Sequence, residues 1–542
     1  MMFYSEPLPD PEPPLDKAEF ALILVLILAW ILPGLVGHEP WKPDEAYNFG
    51  LVRNLIESGD WLTFHLPDDP ARAAPPLYFW TAAVFGKLLS PLLPLPDAVR
   101  LATGLYMGIS ALFTALAGRR LYGEGRFSAL LLAGSFGLLG HAHQLIADSA
   151  LLAGCSIAVY GFVLGREKAA LGGLAAGAGI GIGFLAKGTV SAALFLPALF
   201  LLPLLGGRLI LPFRFAATLF ASALPWIAIW PWLLHSAHPD LFSAWLKESL
   251  DASLGLGKAA HPSRLFYLGI LPWFAWPALP LAGVTLWREK GRLLEEKFLL
   301  PLMLFVSMLA ALTASGTTRE LFALPMLIPL ALIATSSLDS IRRNTASAFN
   351  WFGIITFGLM ASLFWAGWVA MMTGHPEFIA ARIRHYHPDF RAHFAFLPFL
   401  CALSATLLWL WLITHFEHRA RRAVIDWTGG IVMVWMILMT LWLPFLDSVK
   451  GYREMFLSMK AALPGKYQCI EGRHLGQPQR AMLDYYLDIV AKRKGCDLVL
   501  VQTVSSNRRH PAGVDLIWEG ARAGDRVERY RLYRITTSPT GD

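Results

Sequence analysis

Charged residues are scarce in this sequence. Asp, Glu, Lys and Arg make up 16% of the 542 residues, whereas hydrophobic residues make up 55%. Because a soluble protein averages about 25% charged residues, this shortage excludes a single soluble globular domain. Apolar runs recur along most of the chain, and many approach the ~20 residues that a helix needs to cross a bilayer. The composition therefore predicts a polytopic membrane protein that is all-α within the membrane.

The basic residues lack any single large cluster, although the formal net charge is +7. They lie instead in short connectors between apolar runs, at 119–126, 166–168, 208–214, 288–297, 342–343 and 419–422. Basic connectors that alternate along a membrane protein follow the positive-inside rule. The charge therefore predicts which connectors are cytoplasmic, and it gives no support to nucleic-acid binding.

The N-terminal segment 1–19 lacks the basic region and the small-residue cleavage site of a signal peptide. We therefore expect the first apolar helix, near 20–37, to be retained, with a cytoplasmic tail before it and an outer loop, 38–97, after it. Further spans are predicted near 98–118, 126–141, 149–165, 170–186, 188–205, 214–233, 265–287, 298–314, 321–338, 349–373, 395–414 and 424–445. The pattern predicts about thirteen spans, which places the two termini on opposite faces.

Apolar runs are absent after residue 446, and the segment 447–542 has ordinary polarity. Its length suits a small domain. The stretches 455–462 and 480–494 have helical patterns, whereas 497–503 and 528–536 resemble strands. We predict a small α/β domain outside the membrane, joined to a membrane domain that covers 20–446.

Cysteine is rare, with four residues. Cys155 and Cys401 fall in predicted spans and are interpreted as apolar packing residues. Cys469 and Cys496 both fall in the predicted outer domain, where an oxidising compartment allows a disulfide. Two free, buried thiols are the alternative.

The outer loop begins with two adjacent carboxylates, Asp44 and Glu45. From Asp44 to Ser58 the apolar residues follow a helical period, and Gly59 has the character of a C-cap, so we expect an amphipathic helix lying on the membrane surface. A carboxylate at this boundary is a candidate general base. Because Asp is also a favoured helix cap, a capping role is the alternative for Asp44.

Three segments of this loop occur in a recognisable order: 43–46 (Pro-Asp-Glu-Ala), 57–61 (Glu-Ser-Gly-Asp-Trp) and 75–80 (Pro-Pro-Leu-Tyr-Phe-Trp). This order resembles the aminoarabinose transferases that modify lipid A, and their relatives the protein O-mannosyltransferases. Asp148, the segment 184–188 (Phe-Leu-Ala-Lys-Gly) and the segment 315–325 match later family motifs in the same order. The resemblance covers about residues 20–445.

The resemblance implies a membrane glycosyltransferase of GT-C fold. Such enzymes take a sugar from a polyprenyl-phosphate lipid at the outer face of the bacterial inner membrane. The acceptor would be a hydroxyl of lipid A, of another envelope glycan, of a lipid or of a protein. We therefore expect a cytoplasmic N-terminus, a periplasmic C-terminal domain and contacts with membrane lipids, and no cofactor is indicated, although a divalent metal remains an alternative.

The chain departs from the family pattern at two places. Tyr47 and Asn48 replace an Arg-Tyr pair, and Ala73-Ala74 replace a Glu-Lys pair before the two prolines. In the family, that Arg and Lys are expected to hold the lipid phosphate. Arg53 and Arg72 are the candidates that could compensate here, whereas a metal site that uses the missing Glu is put in doubt.

The resemblance and the chemistry together suggest roles for the acids. Asp44 is the predicted catalytic base of an inverting displacement, because the acceptor hydroxyl must lose a proton. Glu45 is predicted to orient the acceptor, or it is only an acid in the first helical turn. Asp148 is predicted to be catalytic, with an N-cap as its alternative.

Substrate-binding residues are predicted from the charge that the leaving phosphate develops. Lys187, Arg264 and Arg319 are the candidate phosphate ligands, and Arg53 and Tyr78 complete the predicted set. Snorkelling to the interface is the alternative for Lys187, and an ion pair with its neighbour Glu320 is the alternative for Arg319.

His141 and His143 do not share a helical face at a spacing of i, i+2, so a metal pair is not predicted. Two other classes of function are weighed against a transferase. A lipid-binding or scaffold protein would not need a pair of acids on an interfacial helix. A transporter or a flippase of a lipid-linked sugar is the second class, and transporters show internal repeats. We find no convincing repeat in this sequence.

Overall fold

The computed structural model of the protein describes residues 17–123, 125–204, 212–255, 265–315, 318–336, 338, 343–388, 390–415, 420–504 and 514–535. Its first helices are α1 (Lys17–Ile31), α2 (Asp44–Ser58), α3 (Leu77–Leu89), α4 (Leu95–Tyr122), α5 (Arg126–Ala133), α6 (Phe136–Leu139), α7 (Asp148–Leu164), α8 (Ala169–Lys187), α9 (Thr189–Leu204), α10 (Phe213–Ala237) and α11 (Pro239–Leu254). They are followed by α12 (Phe266–Phe274), α13 (Ala278–Arg288), α14 (Glu296–Ser315), α15 (Leu327–Thr335), α16 (Arg343–Thr373), α17 (Glu377–Tyr386), α18 (Phe396–His415), α19 (Ala420–Thr440), α20 (Leu443–Lys450), α21 (Arg453–Ala462) and α22 (Gln477–Leu487).

Seven helices in the described part of the chain are long and apolar enough to cross a membrane, namely α4, α8, α10, α14, α16, α18 and α19. The pair α12 and α13, bent by 99°, raises this number to 8 if it counts as one span. The predicted count of about thirteen spans is therefore not confirmed. Several of the predicted spans are shorter apolar helices, such as α7 and the segment Glu320–Thr335.

Proline and glycine interrupt some of the predicted spans. The predicted span 126–141 divides into α5, α6 and the start of the 3₁₀ helix His141–His143, with Gly134 and Gly140 at the two breaks. The predicted span 265–287 divides before Pro277, which has no N–H to continue the ladder of α12. Apolarity alone therefore predicted continuous helices where the backbone turns.

Small residues bring α7, α8 and α10 into backbone contact. A Cβ added at Gly154 of α7 would lie 2.6 Å from the carbonyl oxygen of Gly179 in α8. One added at Gly177 of α8 would lie 2.2 Å from the carbonyl oxygen of Leu219 in α10. Such close packing is typical of membrane helices with small residues at their interfaces. Because α7 and α8 run in opposite directions, the start of α7 and the end of α8 lie at the same end of the bundle.

The helix predicted over Asp44–Ser58 is α2, with the same bounds, and Gly59 ends it at a φ of 71°. Its apolar face, expected on the membrane surface, packs instead against protein. A Cβ added at Gly50 would lie 2.4 Å from the Cβ of Ala481 in α22, so only glycine allows this approach. Helix α2 is therefore held between the membrane helices and the C-terminal elements.

A four-stranded sheet follows α20, formed by β1 (Ile470–Arg473), β2 (Leu498–Val504), β3 (Val514–Gly520) and β4 (Glu528–Ile535). The strand order is β1-β2-β4-β3, with β1 and β2 parallel and the other pairs antiparallel. The predicted helix near 455–462 and the predicted strands near 497–503 and 528–536 are confirmed as α21, β2 and β4. The predicted helix 480–494 is α22, which ends earlier.

The disulfide between Cys469 and Cys496 is confirmed, with a Cα–Cα distance of 5.0 Å. It joins the residue before β1 to the segment before β2. Cys155 is a free, buried thiol, as expected of a packing residue. The boundaries of the C-terminal domain at 447–542 stay a prediction.

Candidate active site

Asp44 is the first residue of α2, and Pro43 occupies the cap position before it. Its carboxylate oxygen Oδ2 accepts a hydrogen bond from the guanidinium of Arg319, 3.1 Å away. The two side chains are 48% and 56% exposed, so this ion pair contributes little to stability. Both groups are accessible to a ligand.

Asp148 is the first residue of α7, and Lys187 is the last residue of α8. The Lys187 ammonium lies 2.8 Å from Asp148 Oδ2, and the two side chains are 20% and 3% exposed. The ammonium also lies 5.5 Å from the centre of the Phe322 ring, where the ring face attracts a cation. Lys187 is therefore held in place by protein groups, which disfavours the snorkelling alternative.

Two further contacts join these ion pairs. Asn48, one turn beyond the start of α2, donates to the carbonyl oxygen of Leu145, 2.7 Å away, just before α7. Phe322 donates its backbone N–H to the carbonyl oxygen of Arg319, at 3.2 Å. The contacts form a closed circuit that unites the starts of α2 and α7, the end of α8 and the 3₁₀ helix Glu320–Met326. We call its charged members the four-charge cluster: Asp44, Arg319, Asp148 and Lys187.

Glu45, the residue after Asp44 in α2, is buried. Its carboxylate accepts hydrogen bonds from the Arg100 guanidinium at 2.6 Å and from the Trp41 backbone N–H at 3.1 Å. Burial alone would raise the pKa of Glu45, but the Arg100 charge holds that pKa below its ordinary value. This geometry favours the alternative that Glu45 is a structural acid of the first turn.

The structure does not bring two of the predicted substrate-binding residues to the cluster. Arg53 lies 3.3 Å from Asp484 and 3.1 Å from Asp488, so it links α2 to α22. Tyr78 is fully buried, and its hydroxyl hydrogen-bonds that of Thr103 at 2.7 Å. The predicted phosphate ligand at position 264 lies outside the described residues.

The alternative ion pair between Arg319 and Glu320 is not formed. Glu320 Oε1 lies 3.3 Å from Nε2 of His141, and Arg319 pairs with Asp44 instead. His143 is buried, and its Nε2 lies 2.6 Å from the carbonyl oxygen of Trp30. Among the described residues, no group of three His, Cys, Asp or Glu side chains could hold a metal ion.

Tyr47 occupies one of the positions where the sequence departs from the family pattern. Burial raises the pKa of its hydroxyl, and the nearby charge of Arg72 opposes that rise. Arg72 is exposed. It is thus the arginine beside Tyr47, and its compensating role stays a prediction.

Sequence reasoning missed Asn48 and Phe322, the two residues that connect the ion pairs. A signal existed for each. Asn48 follows Asp44 by four residues and so shares its face of α2, and Phe322 follows Arg319 by three residues.

No protein-family model matches the chain. The chain is 28% identical over 334 residues to undecaprenyl phosphate-alpha-4-amino-4-deoxy-L-arabinose arabinosyl transferase 1 of Pseudomonas fluorescens (strain Pf0-1), a match covering 58% of this chain and 56% of that protein. It is 30% identical over 347 residues to transferase 2 of the same name from strain ATCC BAA-477 / NRRL B-23932 / Pf-5, covering 59% and 56%. The chain thus spans little more than half the length of these curated relatives.

Two solved structures of a similar protein align with almost the whole chain. ArnT from Cupriavidus metallidurans bound to undecaprenyl phosphate superposes with a TM-score of 0.64 at 16% identity, covering 96% of this chain and 99% of that one. Its apo state gives a TM-score of 0.65, covering 95% and 97%. The chain has the ArnT fold. The resemblance to aminoarabinose transferases is confirmed, and with its apolar helices the chain is a multi-pass membrane protein.

Proposed function

We propose that the protein is a membrane glycosyltransferase that moves a sugar from a polyprenyl-phosphate donor to a hydroxyl acceptor. The observation that carries this proposal is the four-charge cluster, in which the accessible carboxylate of Asp44 pairs with Arg319 and the buried carboxylate of Asp148 pairs with Lys187. The names of the curated relatives support an undecaprenyl-phosphate-linked sugar as donor. The undecaprenyl phosphate bound to ArnT of Cupriavidus metallidurans supports the same class of donor.

Arg319 and Lys187 would bind the donor phosphate. As the bond between the anomeric carbon and the phosphate oxygen breaks, its electron pair stays on that oxygen, and nearby cations stabilise the developing charge. The guanidinium of Arg319 is accessible and suits bidentate contacts with phosphate. The ammonium of Lys187 is fixed by Asp148 and Phe322, so little reorganisation is needed when the phosphate arrives.

Asp44 would be the base. The acceptor oxygen forms a bond to the anomeric carbon, and its proton passes to a carboxylate oxygen of Asp44. When Arg319 turns to the phosphate, the Oδ2 atom that it contacts becomes free to accept that proton. Donor binding would thereby prepare the base.

A single displacement inverts the anomeric carbon, whereas a covalent sugar–enzyme intermediate needs a second carboxylate as nucleophile. Asp148 is the other acid of the cluster, and its side chain is 3% exposed and paired with Lys187. Its burial supports inversion. Asp148 would position Lys187 and would not touch the sugar.

The outer face of the bacterial inner membrane is the proposed place of the reaction, with a cytoplasmic N-terminus and a periplasmic sheet. The disulfide between Cys469 and Cys496 supports an oxidising compartment for the sheet. Lipid A, another envelope glycan, a lipid or a protein remains the proposed acceptor. A transporter or flippase is not favoured, since the curated relatives are named as transferases.

The test compares envelope lipids and glycans by mass spectrometry in cells with and without the gene. We expect one sugar modification to disappear on deletion and to return with the wild-type gene, but not with Asp44→Asn. Its mass would identify the sugar and the acceptor. An unchanged envelope after deletion, under conditions where the protein is made, would contradict the proposal.

A further inference from the structure

A pocket separate from the four-charge cluster lies between α17 and the loop that precedes β4. Its volume is about 520 Å³, which is within the range of ligand pockets. Helix α17 and the loop contribute its polar lining, namely Arg382, His385, Tyr386, Arg522, Asp525 and Arg526. None of these residues belongs to the four-charge cluster.

The lining carries more positive than negative charge. Its one carboxylate, Asp525, is paired with Arg522 and lies 3.7 Å from the ammonium of Lys42. Among the described residues, neither Arg382 nor Arg526 contacts a carboxylate. The pocket therefore presents two guanidinium groups whose charges the protein leaves uncompensated.

Side chains of α17 hold these two arginines in place. Arg526 forms a hydrogen bond with Nε2 of His385. The Arg382 guanidinium lies 5.7 Å from the centre of the Tyr386 ring, at cation–π distance. Both guanidinium groups are thus oriented at the pocket without being neutralised.

Helix α17, which lines the pocket, connects α16 and α18, two helices long and apolar enough to cross a membrane. Phe378 on α17 is 76% exposed, and Phe394 and Phe396 beyond it are 59% and 68% exposed. Exposed aromatic side chains beside basic residues are typical of a helix that rests in the headgroup region.

We propose that this pocket binds the phosphate headgroup of an anionic lipid. The planar guanidinium group forms paired hydrogen bonds with phosphate oxygens, and two such groups line one cavity beside a helix that connects two spans. The lipid would occupy this pocket in addition to the donor at the four-charge cluster. The proposal goes beyond the transferase activity and does not depend on it.

The test measures lipid retention on the full-length protein by native mass spectrometry. The probes are phosphatidic acid and phosphatidylcholine, added to the delipidated protein. We expect the wild-type protein to bind phosphatidic acid more tightly than phosphatidylcholine. The double variant Arg382→Gln/Arg526→Gln should bind phosphatidic acid at least tenfold more weakly than wild type does. The single variants should each lose part of the affinity, and Arg526→Lys should lose less than Arg526→Gln.

The matched control is Arg384→Gln. Arg384 is on the same helix but contacts Glu377 at 3.1 Å and does not line the pocket, so we expect less than a twofold change. Equal losses from Arg384→Gln and from the pocket variants would overturn the proposal, as would wild-type binding by the double variant. Inorganic phosphate that bound as tightly as phosphatidic acid would overturn the assignment to a lipid. Unchanged thermal unfolding midpoints would show that each variant is folded.

Discussion

Arg319 holds Asp44 through a contact of 3.1 Å between a guanidinium nitrogen and Oδ2, across 275 residues of sequence. The proposed base and a proposed phosphate ligand are therefore each other's partners before substrate binds. In the proposed mechanism, a donor phosphate that attracts the guanidinium would release the carboxylate. Donor binding would then activate the base without any change in the fold.

Replacing Arg319 tests that link. We expect Arg319→Gln to lower transfer by about a hundredfold, because it removes one charged donor that stabilises the leaving phosphate. Arg319→Lys keeps the charge and should recover part of the rate. Initial rates at varied donor concentration measure both, with Arg384→Gln as a matched control. Wild-type kinetics in Arg319→Gln would show that another cation binds the phosphate.

Variants of Lys187 and Asp148 should change stability and activity separately. Lys187→Met leaves a buried carboxylate without its partner, and breaking a buried ion pair costs about 3–5 kcal/mol. Adding Asp148→Asn removes that charge, so the double variant should regain most of the lost unfolding free energy. Transfer should stay low in both because the phosphate ligand is missing. Recovery of transfer in the double variant would exclude Lys187 from phosphate binding.

Glu45→Gln should affect stability more than chemistry. The change weakens the buried pair with Arg100, and we expect a loss of about 3 kcal/mol in unfolding free energy. The folded enzyme should retain a rate within a fewfold of wild type. A collapse of transfer in a stably folded Glu45→Gln protein would instead restore the prediction that Glu45 orients the acceptor.

The pH dependence of stability follows from the lowered pKa of Glu45. A group whose folded pKa is lowered stabilises the protein fully above its unfolded pKa, which is about 4.3 for Glu. That contribution is lost as the pH falls through the folded pKa, below the ordinary value. Thermal unfolding followed from neutral pH into this acidic range should show a steeper loss in wild type than in Glu45→Gln. Parallel curves would contradict the lowered pKa.

Replacing Arg53 tests whether this residue joins α2 to α22 or binds the substrate. Because it links α2 to Asp484 and Asp488, we expect Arg53→Gln to lower stability by about 1 kcal/mol. The KM for the donor should remain within twofold of wild type. Limited proteolysis and steady-state kinetics measure the two effects. A tenfold rise in KM with unchanged stability would support the sequence-based prediction instead.

The sequence predicted local features well where one period or one motif carried the signal. The bounds of α2 followed from its apolar spacing and from Gly59. Asp44, Asp148, Lys187 and Arg319 were all singled out, and the structure brings them together. Their pairing was not predictable from the sequence. Arg319 is followed directly by an acid, Glu320, but it pairs with Asp44, which is 275 residues away.

Features that depend on tertiary packing were predicted poorly. Arg53 follows Asp44 by nine residues, but besides Glu57 on its own helix it pairs with Asp484 and Asp488 of the C-terminal elements. The number of spans was not confirmed, because apolar runs form short and bent helices as well as full spans. Strand β1 was missed because it has four residues and includes a glycine.

The most direct test of the central claim is transfer by Asp44→Asn in proteoliposomes that contain the donor and the acceptor identified from the envelope comparison. Asn keeps the size of the side chain and removes its basicity, so we expect the rate to fall about a thousandfold while donor binding persists. Asp515→Asn, an exposed change on β3, is the matched control and should leave the rate unchanged. A wild-type rate in Asp44→Asn would contradict the account.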